Sequence, residues 1–356
     1  MAMKQAIVIS ACVTGALAAA CVSPDEAPAT GTATQALESC PNFACGQNGP
    51  TLNNRPFHEL AESRVPNQEG FALGRLVKNG TLYAIQVVGW ELRASNRFDQ
   101  LTGNELVGAS FEISHAQDGK TYRVLIAGYA LMQIYAGPLK GTSIPQYVLK
   151  WTDPAAPVTG VFYKNLCANP PKDRAETLYQ DGESTIFFEG NRYDAGKKLV
   201  STGDTNWFNL GCAGHALSKL FLTGHAQLTG GATLLEQQTV LKALVADYCQ
   251  DGMSFTVPGE RLSWKTANQY MLFQDAPVSF EARWNSLGPV CMDEARLIES
   301  GNPLAQTYFP DAPDGTSGVI AAMQQHCPSK IPPPCNAAAG AYNFSGSYLV
   351  TANPPL

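Results

Sequence analysis

Residues 74–92 have the sequence GRLVKNGTLYAIQVVGWEL. The dipeptide Asn79-Gly80 separates two apolar runs, and this arrangement favours the tight turn of a β-hairpin. Similar patterns surround Asp118-Gly119 and Gly190-Asn191. Three hairpin signals within residues 40–200 predict an antiparallel β-rich region with a sandwich-like or barrel-like architecture.

The hydrophobic pattern changes to a helical period after about residue 200. Ala213, Ala216, Leu217 and Leu220 lie at helical spacing in NWFNLGCAGHALSKLFLTGHA, residues 206–226. A second segment, TLLEQQTVLKALVADYC at residues 233–249, begins with Thr233 and Glu236 at the spacing of a capping box. In that motif each side chain bonds a free backbone N–H at the helix start. The glycines between the two segments predict that the helices form a hairpin.

These patterns together predict an α+β protein. An antiparallel β-rich part at residues 40–200 is followed, at residues 201–356, by a disulfide-stapled helical hairpin with further β segments.

The predicted end of the second helix carries a tetrad of chemically diverse residues: Ala246, Asp247, Tyr248 and Cys249. The apolar stripe of this helix includes Tyr248, which predicts that its ring is buried and that Asp247 faces the other way. Asp251 and the following glycine would end the helix, because glycine accepts a left-handed conformation.

Helix geometry suggests a partner for the cysteine of this tetrad. In an antiparallel helix pair the start of the first helix lies beside the end of the second. Cys212 is at that start and Cys249 is at that end, so we predict a Cys212–Cys249 disulfide. On this interpretation the tetrad is a structural staple.

The first twenty residues have the features of an export signal. Lys4 precedes an apolar stretch, and Ala18-Ala19-Ala20 precede Cys21. A cysteine after small residues is typical of a lipid-modified bacterial protein, so Cys21 is the predicted lipidation site. Residues 21–39 have the composition of a flexible linker. Val22 is not acidic, which favours delivery to the outer membrane. Ordinary cleavage, giving a secreted soluble protein, is the alternative.

Cysteine counting agrees with lipidation. Of the ten cysteines, Cys12 lies in the predicted signal and Cys21 would carry the lipid, which leaves eight for disulfides in an oxidising compartment. Besides Cys212–Cys249, the expected pairs are Cys291–Cys327, Cys40–Cys45 and, by elimination, Cys167–Cys335.

Composition limits the classes of partner. The formal net charge is −6 and no basic stripe is present, so a nucleic-acid partner is not expected. The expected partner is the membrane, reached through the N-terminal lipid, and a protein or glycan partner is left open. No cofactor and no metal site is expected.

Four blocks of the chain resemble a known family. ADYCQDG (246–252), GCAGHALSK (211–219), FEARWNSLGPVCMDEARL (280–297) and CGQNGPTLNNRPFHEL (45–60) are similar to the ADYC-domain proteins, which are exported and often lipidated bacterial proteins found mainly in myxobacteria and their relatives. The resemblance implies no established activity. Two positions where that family often has cysteines hold Leu220 and Val240, and GHAQL (224–228) replaces a Gly-Tyr…Pro-Trp stretch.

Several polar residues could carry chemistry. Asp247, Asp251 and Glu260 are weak candidates for a paired-carboxylate hydrolase acting on polysaccharide or peptide. Cys212, His215 and His225 have zinc-like types, but four firm ligands are lacking and export disfavours free thiolates.

The leading functional hypothesis is therefore a cell-envelope lipoprotein that binds a partner or has a structural role. A secreted hydrolase is the alternative.

Overall fold

The computed structural model describes residues 51–53, 55–153, 163–167, 184–193, 199–230, 232–257, 260, 262–267, 279–337, 344 and 346–353. The predicted signal peptide, the linker and the Cys40–Cys45 pair lie outside these residues.

Far more of the described residues belong to β-strands than to helices. The strands are β1 (Thr51–Leu52), β2 (Arg55–Pro56), β3 (Glu59–Ala61), β4 (Phe71–Lys78), β5 (Thr81–Val88), β6 (Glu91–Ser95), β7 (Gln100–Thr102), β8 (Ser110–His115), β9 (Lys120–Gln133), β10 (Ser143–Thr152), β11 (Lys164–Asn165), β12 (Ser184–Tyr193), β13 (Leu199–Cys212), β14 (Ser263–Thr266), β15 (Ser279–Asn285), β16 (Gly288–Met292) and β17 (Leu349–Asn353). A short 3-10 helix at Gly103–Leu106 follows β7.

The helices lie in the second half of the chain. They are α1 (Ala216–Leu222), α2 (Gln227–Gly230), α3 (Leu234–Leu244), α4 (Pro303–Tyr308) and α5 (Gly318–His326). The predicted α+β class is therefore confirmed, with a helical hairpin after a β-rich part. No helix among the described residues has both the length and the hydropathy needed to cross a bilayer.

A long antiparallel sheet forms the first layer. Its strand order is β3-β13-β12-β10-β9-β8-β4-β5-β6-β7, and β11 pairs with β10. The sheet curls on itself, because β5 and β12 are far apart in that order and yet contact each other. The backbone N–H of Glu189 in β12 donates to the carbonyl of Gly89, just after β5, at 2.8 Å.

Two of the three predicted hairpin turns are present. Asn79-Gly80 joins β4 to β5, and both residues have positive φ (50° and 77°), as the preferred two-residue hairpin turn requires. Asp118-Gly119 lies in the turn between β8 and β9. The Asp118 carboxylate accepts hydrogen bonds from the Lys120 N–H at 3.0 Å and from the Tyr122 hydroxyl at 2.8 Å.

The predicted turn at Gly190-Asn191 is wrong. Strand β12 continues through both residues, and Gly190 sits at a bulge where the register with β13 shifts. Successive side chains of a strand point to opposite faces. Phe187 packs into one core, whereas Ile186 and Phe188 pack into another, so β12 is buried on both faces. Because β12 packs against both cores, the strand continues past Gly190, although glycine often marks a turn.

The first core lies inside the curled sheet. Its large members are Phe57, Phe71, Phe111, Tyr122, Tyr147, Phe187 and Phe208. The second core lies between the outer face of β12, the helices and a four-stranded sheet with the order β14-β17-β15-β16. Leu220 and Val240 are both fully buried in this second core.

The predicted boundary at residue 200 falls inside a strand. Strand β13 crosses it as part of the long sheet, and the described residues on both sides belong to one compact unit. The helical hairpin therefore packs against the same sheet that the first half of the chain builds.

The predicted start of the second long helix is confirmed. Thr233 accepts a hydrogen bond from the Glu236 N–H, and the Glu236 carboxylate accepts one from the Thr233 N–H at 2.7 Å. The predicted end is wrong by about two turns, because α3 stops at Leu244.

Three disulfides connect the described cysteines, and they differ from the predicted pairs. Cys167 bonds Cys212, Cys249 bonds Cys327, and Cys291 bonds Cys335, with Cα–Cα distances of 5.5, 5.8 and 5.0 Å. The predictions Cys212–Cys249, Cys291–Cys327 and Cys167–Cys335 are therefore corrected.

The physical reason is the location of each cysteine. Cys212 is the last residue of β13, so its neighbours belong to the sheet, including Thr185 of β12. Thr185 Oγ1 lies 3.2 Å from the sulfur of Cys167. Cys249 lies beyond the end of α3 and faces Cys327, which caps the C-terminus of α5.

Candidate functional site around the ADYC turn

Helix α3 ends at Leu244, and Ala246 begins a compact turn two residues later. Its φ is +51°, in the left-handed region that glycine usually occupies at a helix end. The Ala246 N–H donates to the carbonyl of Ala243 at 3.1 Å, and the Asp247 N–H donates to the carbonyl of Lys242 at 3.0 Å. These two bonds define a Schellman motif, which satisfies carbonyl groups that a helix end leaves free.

Asp247 stabilises this turn through the contacts of its buried side chain. Its side chain is fully buried and pairs with the ammonium group of Lys242. Its carboxylate also accepts hydrogen bonds from the N–H groups of Asp251 and Gly252, both at 3.0 Å. The prediction that Asp247 faces away from the core is wrong, because helical spacing no longer applies after Leu244. Burial raises the pKa of the Asp247 carboxyl, and the charge of Lys242 opposes that shift.

Tyr248 is a core residue, as predicted. It is fully buried, and its ring stacks on Trp284 with centroids 5.6 Å apart. The phenol donates a hydrogen bond to Glu281 Oε1 at 2.7 Å and accepts one from the backbone N–H of Arg296 at 2.9 Å. Burial raises the pKa of Tyr248 well above its usual value, so the hydroxyl keeps its proton and acts as a donor.

Arg296 completes a buried cluster that we call the ADYC brace, formed by Tyr248, Glu281 and Arg296. Its guanidinium bonds both oxygens of Glu281, with Nη2–Oε1 at 3.0 Å and Nε–Oε2 at 3.3 Å. It also donates to the carbonyls of Ala243 and Leu244 at 2.6 and 3.2 Å. The cation thereby lies at the C-terminus of α3, where the helix dipole favours positive charge.

The brace ties together three separate parts of the chain. Tyr248 belongs to the turn, Glu281 to β15 and Arg296 to the segment after β16. The β15–β16 turn packs close to the ADYC turn because Gly288 has no side chain. A Cβ at Gly288 would lie 2.6 Å from Cγ of Gln250. The ADYC turn thus connects α3 to the four-stranded sheet.

The other predicted acids have partners of their own. The Asp251 carboxylate accepts hydrogen bonds from the Met253 N–H at 3.1 Å and from His326 Nε2 at 2.8 Å. Glu260 accepts a hydrogen bond from the hydroxyl of Ser300. Asp247, Asp251 and Glu260 therefore contact three different sets of residues.

Two of the three zinc-like residues also have structural roles. Cys212 is part of a disulfide and offers no thiolate. Burial lowers the pKa of His225 to about 4, so its imidazole is neutral, and its ring packs on Trp264 with centroids 5.4 Å apart.

The sequence pattern did not reveal the charged residues that contact the ADYC turn. Glu281 and Arg296 lie within the block FEARWNSLGPVCMDEARL, and Lys242 lies five residues before Asp247. The available signal was a glutamate between two apolar residues, Phe280 and Ala282. Lys219 in α1 was also missed: burial, with the nearby charge of Arg296, lowers its pKa to about 8.

Replacing Asp247 with Asn is expected to lower the free energy of unfolding by about 2 kcal/mol. The amide keeps one acceptor oxygen for the turn but leaves the buried Lys242 without its counter-ion. Urea denaturation of the oxidised protein measures this change. The matched control is Asp251→Asn at a partly exposed carboxylate, which is expected to cost less than about 1 kcal/mol. Equal effects of the two variants would contradict the role assigned to Asp247.

Comparison with known proteins identifies one family. The family model described as the ADYC domain matches residues 103–298, more than half of the chain, and this range includes the turn and all three members of the brace. No curated protein and no solved structure matches the chain. The chain therefore belongs to the ADYC-domain family.

Proposed function

We propose that this protein is a cell-envelope lipoprotein, anchored through a lipid on Cys21, that binds a partner or supports an envelope structure. The observation that supports the proposal is that the residues of the ADYC turn have their partners inside the protein. Ala246 caps a helix, Asp247 bonds the turn, Tyr248 joins the brace and Cys249 is in a disulfide. A motif whose side chains all have internal partners is better suited to holding the fold together than to catalysis.

Cysteine usage and the N-terminal sequence support the envelope location. Three disulfides among the described residues are typical of an oxidising compartment. The export signal at residues 1–20, Cys21 and the linker-like residues 21–39 favour a tether. Val22 favours the outer membrane as the destination.

The alternative, a secreted hydrolase, would use Asp247, Asp251 or Glu260. A pair of catalytic carboxylates needs a separation of about 5–10 Å across a substrate cleft. Asp247 is fully buried and neutralised by Lys242, whereas Asp251 is at the surface beside His326. These contacts favour a binding or structural role.

Replacing Cys21 with Ser is expected to move the protein from the membrane fraction to the soluble fraction, or to block processing of its signal peptide. The thiol is the group that would be acylated, and serine offers no equivalent acceptor. Detergent-phase partitioning and metabolic labelling with a fatty-acid analogue measure both outcomes. Cys12→Ser is the matched control, because Cys12 lies in the predicted signal. Unchanged partitioning and labelling of the Cys21→Ser protein would contradict the anchor.

A further inference from the structure

A groove lies on the outer face of β4, β5 and β6, away from the ADYC turn. Its volume is about 450 Å³, which is within the range of small-ligand sites. It is lined by nine residues, of which Arg64, Arg75 and Arg97 are cationic and none is acidic. We call this feature the arginine groove. It precedes residues 103–298, which the family model covers.

The three cations of the arginine groove are available for a ligand. Among the described residues, none of these guanidinium groups forms an ion pair or a side-chain hydrogen bond. In a protein with a net charge of −6, three cations without anionic partners in one concavity are unusual. Guanidinium groups bind carboxylates through two parallel hydrogen bonds, which makes an anionic ligand the natural complement.

Strand pairing separates the cations across the groove. Leu76 of β4 pairs with Tyr83 of β5, so Arg75 and Ala84 follow as neighbours on the outer face. Ala84 in turn pairs with Ser95 of β6, and Arg97 lies two residues beyond Ser95. Arg75 and Ser95 lie two strand spacings apart, which is about 10 Å, so the backbones of Arg75 and Arg97 flank the floor from opposite sides. Two separate anionic groups of one chain would fit better than a single small ion.

The remaining lining combines apolar surface with hydroxyl groups. Phe98 is 82% exposed and Leu82 is 51% exposed, and the guanidinium of Arg97 lies 4.4 Å from the Phe98 ring centroid. Thr81 and Ser95 add hydroxyl groups. An exposed ring can contact the apolar face of a sugar, and hydroxyl groups can bond sugar hydroxyls.

One other class of occupant fits less well. A peptide that binds by adding a strand needs a free sheet edge, but β4, β5 and β6 are each paired on both sides.

We propose that the arginine groove binds an acidic oligosaccharide, with sugar carboxylates on Arg75 and Arg97 and a sugar ring on Phe98. This inference deepens the proposed binding role. It depends on that role but not on the lipid anchor, so the Cys21→Ser experiment and a binding experiment can fail separately.

Titration calorimetry of the purified full chain with tetragalacturonic acid tests the proposal. Arg75→Gln and Arg97→Gln are each expected to weaken binding about tenfold, because each removes one charge-assisted contact. The double variant is expected to weaken it about a hundredfold, and Phe98→Ala about fivefold. Arg123→Gln is the matched control, since Arg123 is an exposed arginine of the same sheet outside the groove. It is expected to leave the affinity unchanged.

Comparison ligands decide the chemical class. Cellotetraose, which has no carboxylates, is expected to bind at least tenfold more weakly than tetragalacturonic acid. Raising the salt concentration is expected to weaken only the acidic ligand. The proposal would be overturned by equal affinity for the neutral sugar or by wild-type affinity in the Arg75→Gln/Arg97→Gln variant. Tighter binding to tetraglutamate or to phosphatidylglycerol vesicles would also overturn it.

Discussion

Replacing Arg296 with Met is expected to lower the free energy of unfolding by about 3–5 kcal/mol. Methionine fills much of the same volume but leaves Glu281 buried without its cation. The carbonyls of Ala243 and Leu244 at the end of α3 lose a donor as well. Urea denaturation, with the disulfides intact, measures the change.

A second variant separates loss of the ion pair from loss of packing. In the double variant Arg296→Met/Glu281→Leu no charge remains within the brace, so much of the lost stability is expected to return. Arg123→Met, at an exposed site of the long sheet, serves as the control and is expected to change stability by less than about 1 kcal/mol. If Arg296→Met also costs less than about 1 kcal/mol, the brace does not hold α3 to the second sheet.

Replacing Cys249 with Ala is the second large effect, with an expected loss of about 2–5 kcal/mol. The Cys249–Cys327 disulfide spans 78 residues, and in the chain-entropy model a loop of that length stabilises by about 4.5 kcal/mol. Denaturant unfolding of the oxidised variant measures the loss.

The matched comparison is Cys327→Ala, which opens the same loop. It should cost as much as Cys249→Ala, and the double variant should cost little more than either single one. Additive effects of Cys249→Ala and Cys327→Ala would contradict the pairing, as would coupling between Cys249→Ala and Cys212→Ala.

The features that sequence predicts correctly are local ones. The Asn79-Gly80 turn and the Thr233–Glu236 capping box each depend on residues a few positions apart. The chemistry that forms them is contained in those residues, so no knowledge of the rest of the fold is needed. The burial of Tyr248 was also predicted, although the helix that motivated the prediction had already ended.

The features that sequence does not predict depend on distant packing. Gly190 looks like a turn residue, yet cores on both faces of β12 keep the strand extended as far as Tyr193. Ala246 ends a helix in a conformation that alanine rarely adopts, because Asp247 and its partners hold the next residues inside the protein.

The cysteine pairing failed for the same reason. An antiparallel helix pair would place Cys212 beside Cys249. Strand β13, however, delivers Cys212 to the long sheet, and α5 delivers Cys327 to the turn from 78 residues away. Eight cysteines allow 105 connectivities, and only the three-dimensional neighbours of each one select among them.

The candidate site likewise combines residues that the sequence identifies with residues that only the fold brings together. The tetrad stands out in the sequence, whereas Glu281 and Arg296 look like ordinary surface charges of a strand and a loop. Their role is visible only in the folded protein, where both contact Tyr248, which is 33 residues from Glu281 and 48 from Arg296 in the sequence.

Peptide mapping of the non-reduced, alkylated protein tests the central claim, that the ADYC turn is a structural joint, most directly. The expected result is a cross-linked peptide joining Cys249 to Cys327, together with Cys167–Cys212 and Cys291–Cys335. Native Cys249 should not react with alkylating reagents. A free, reactive thiol at Cys249, or a peptide joining it to Cys212, would contradict the account.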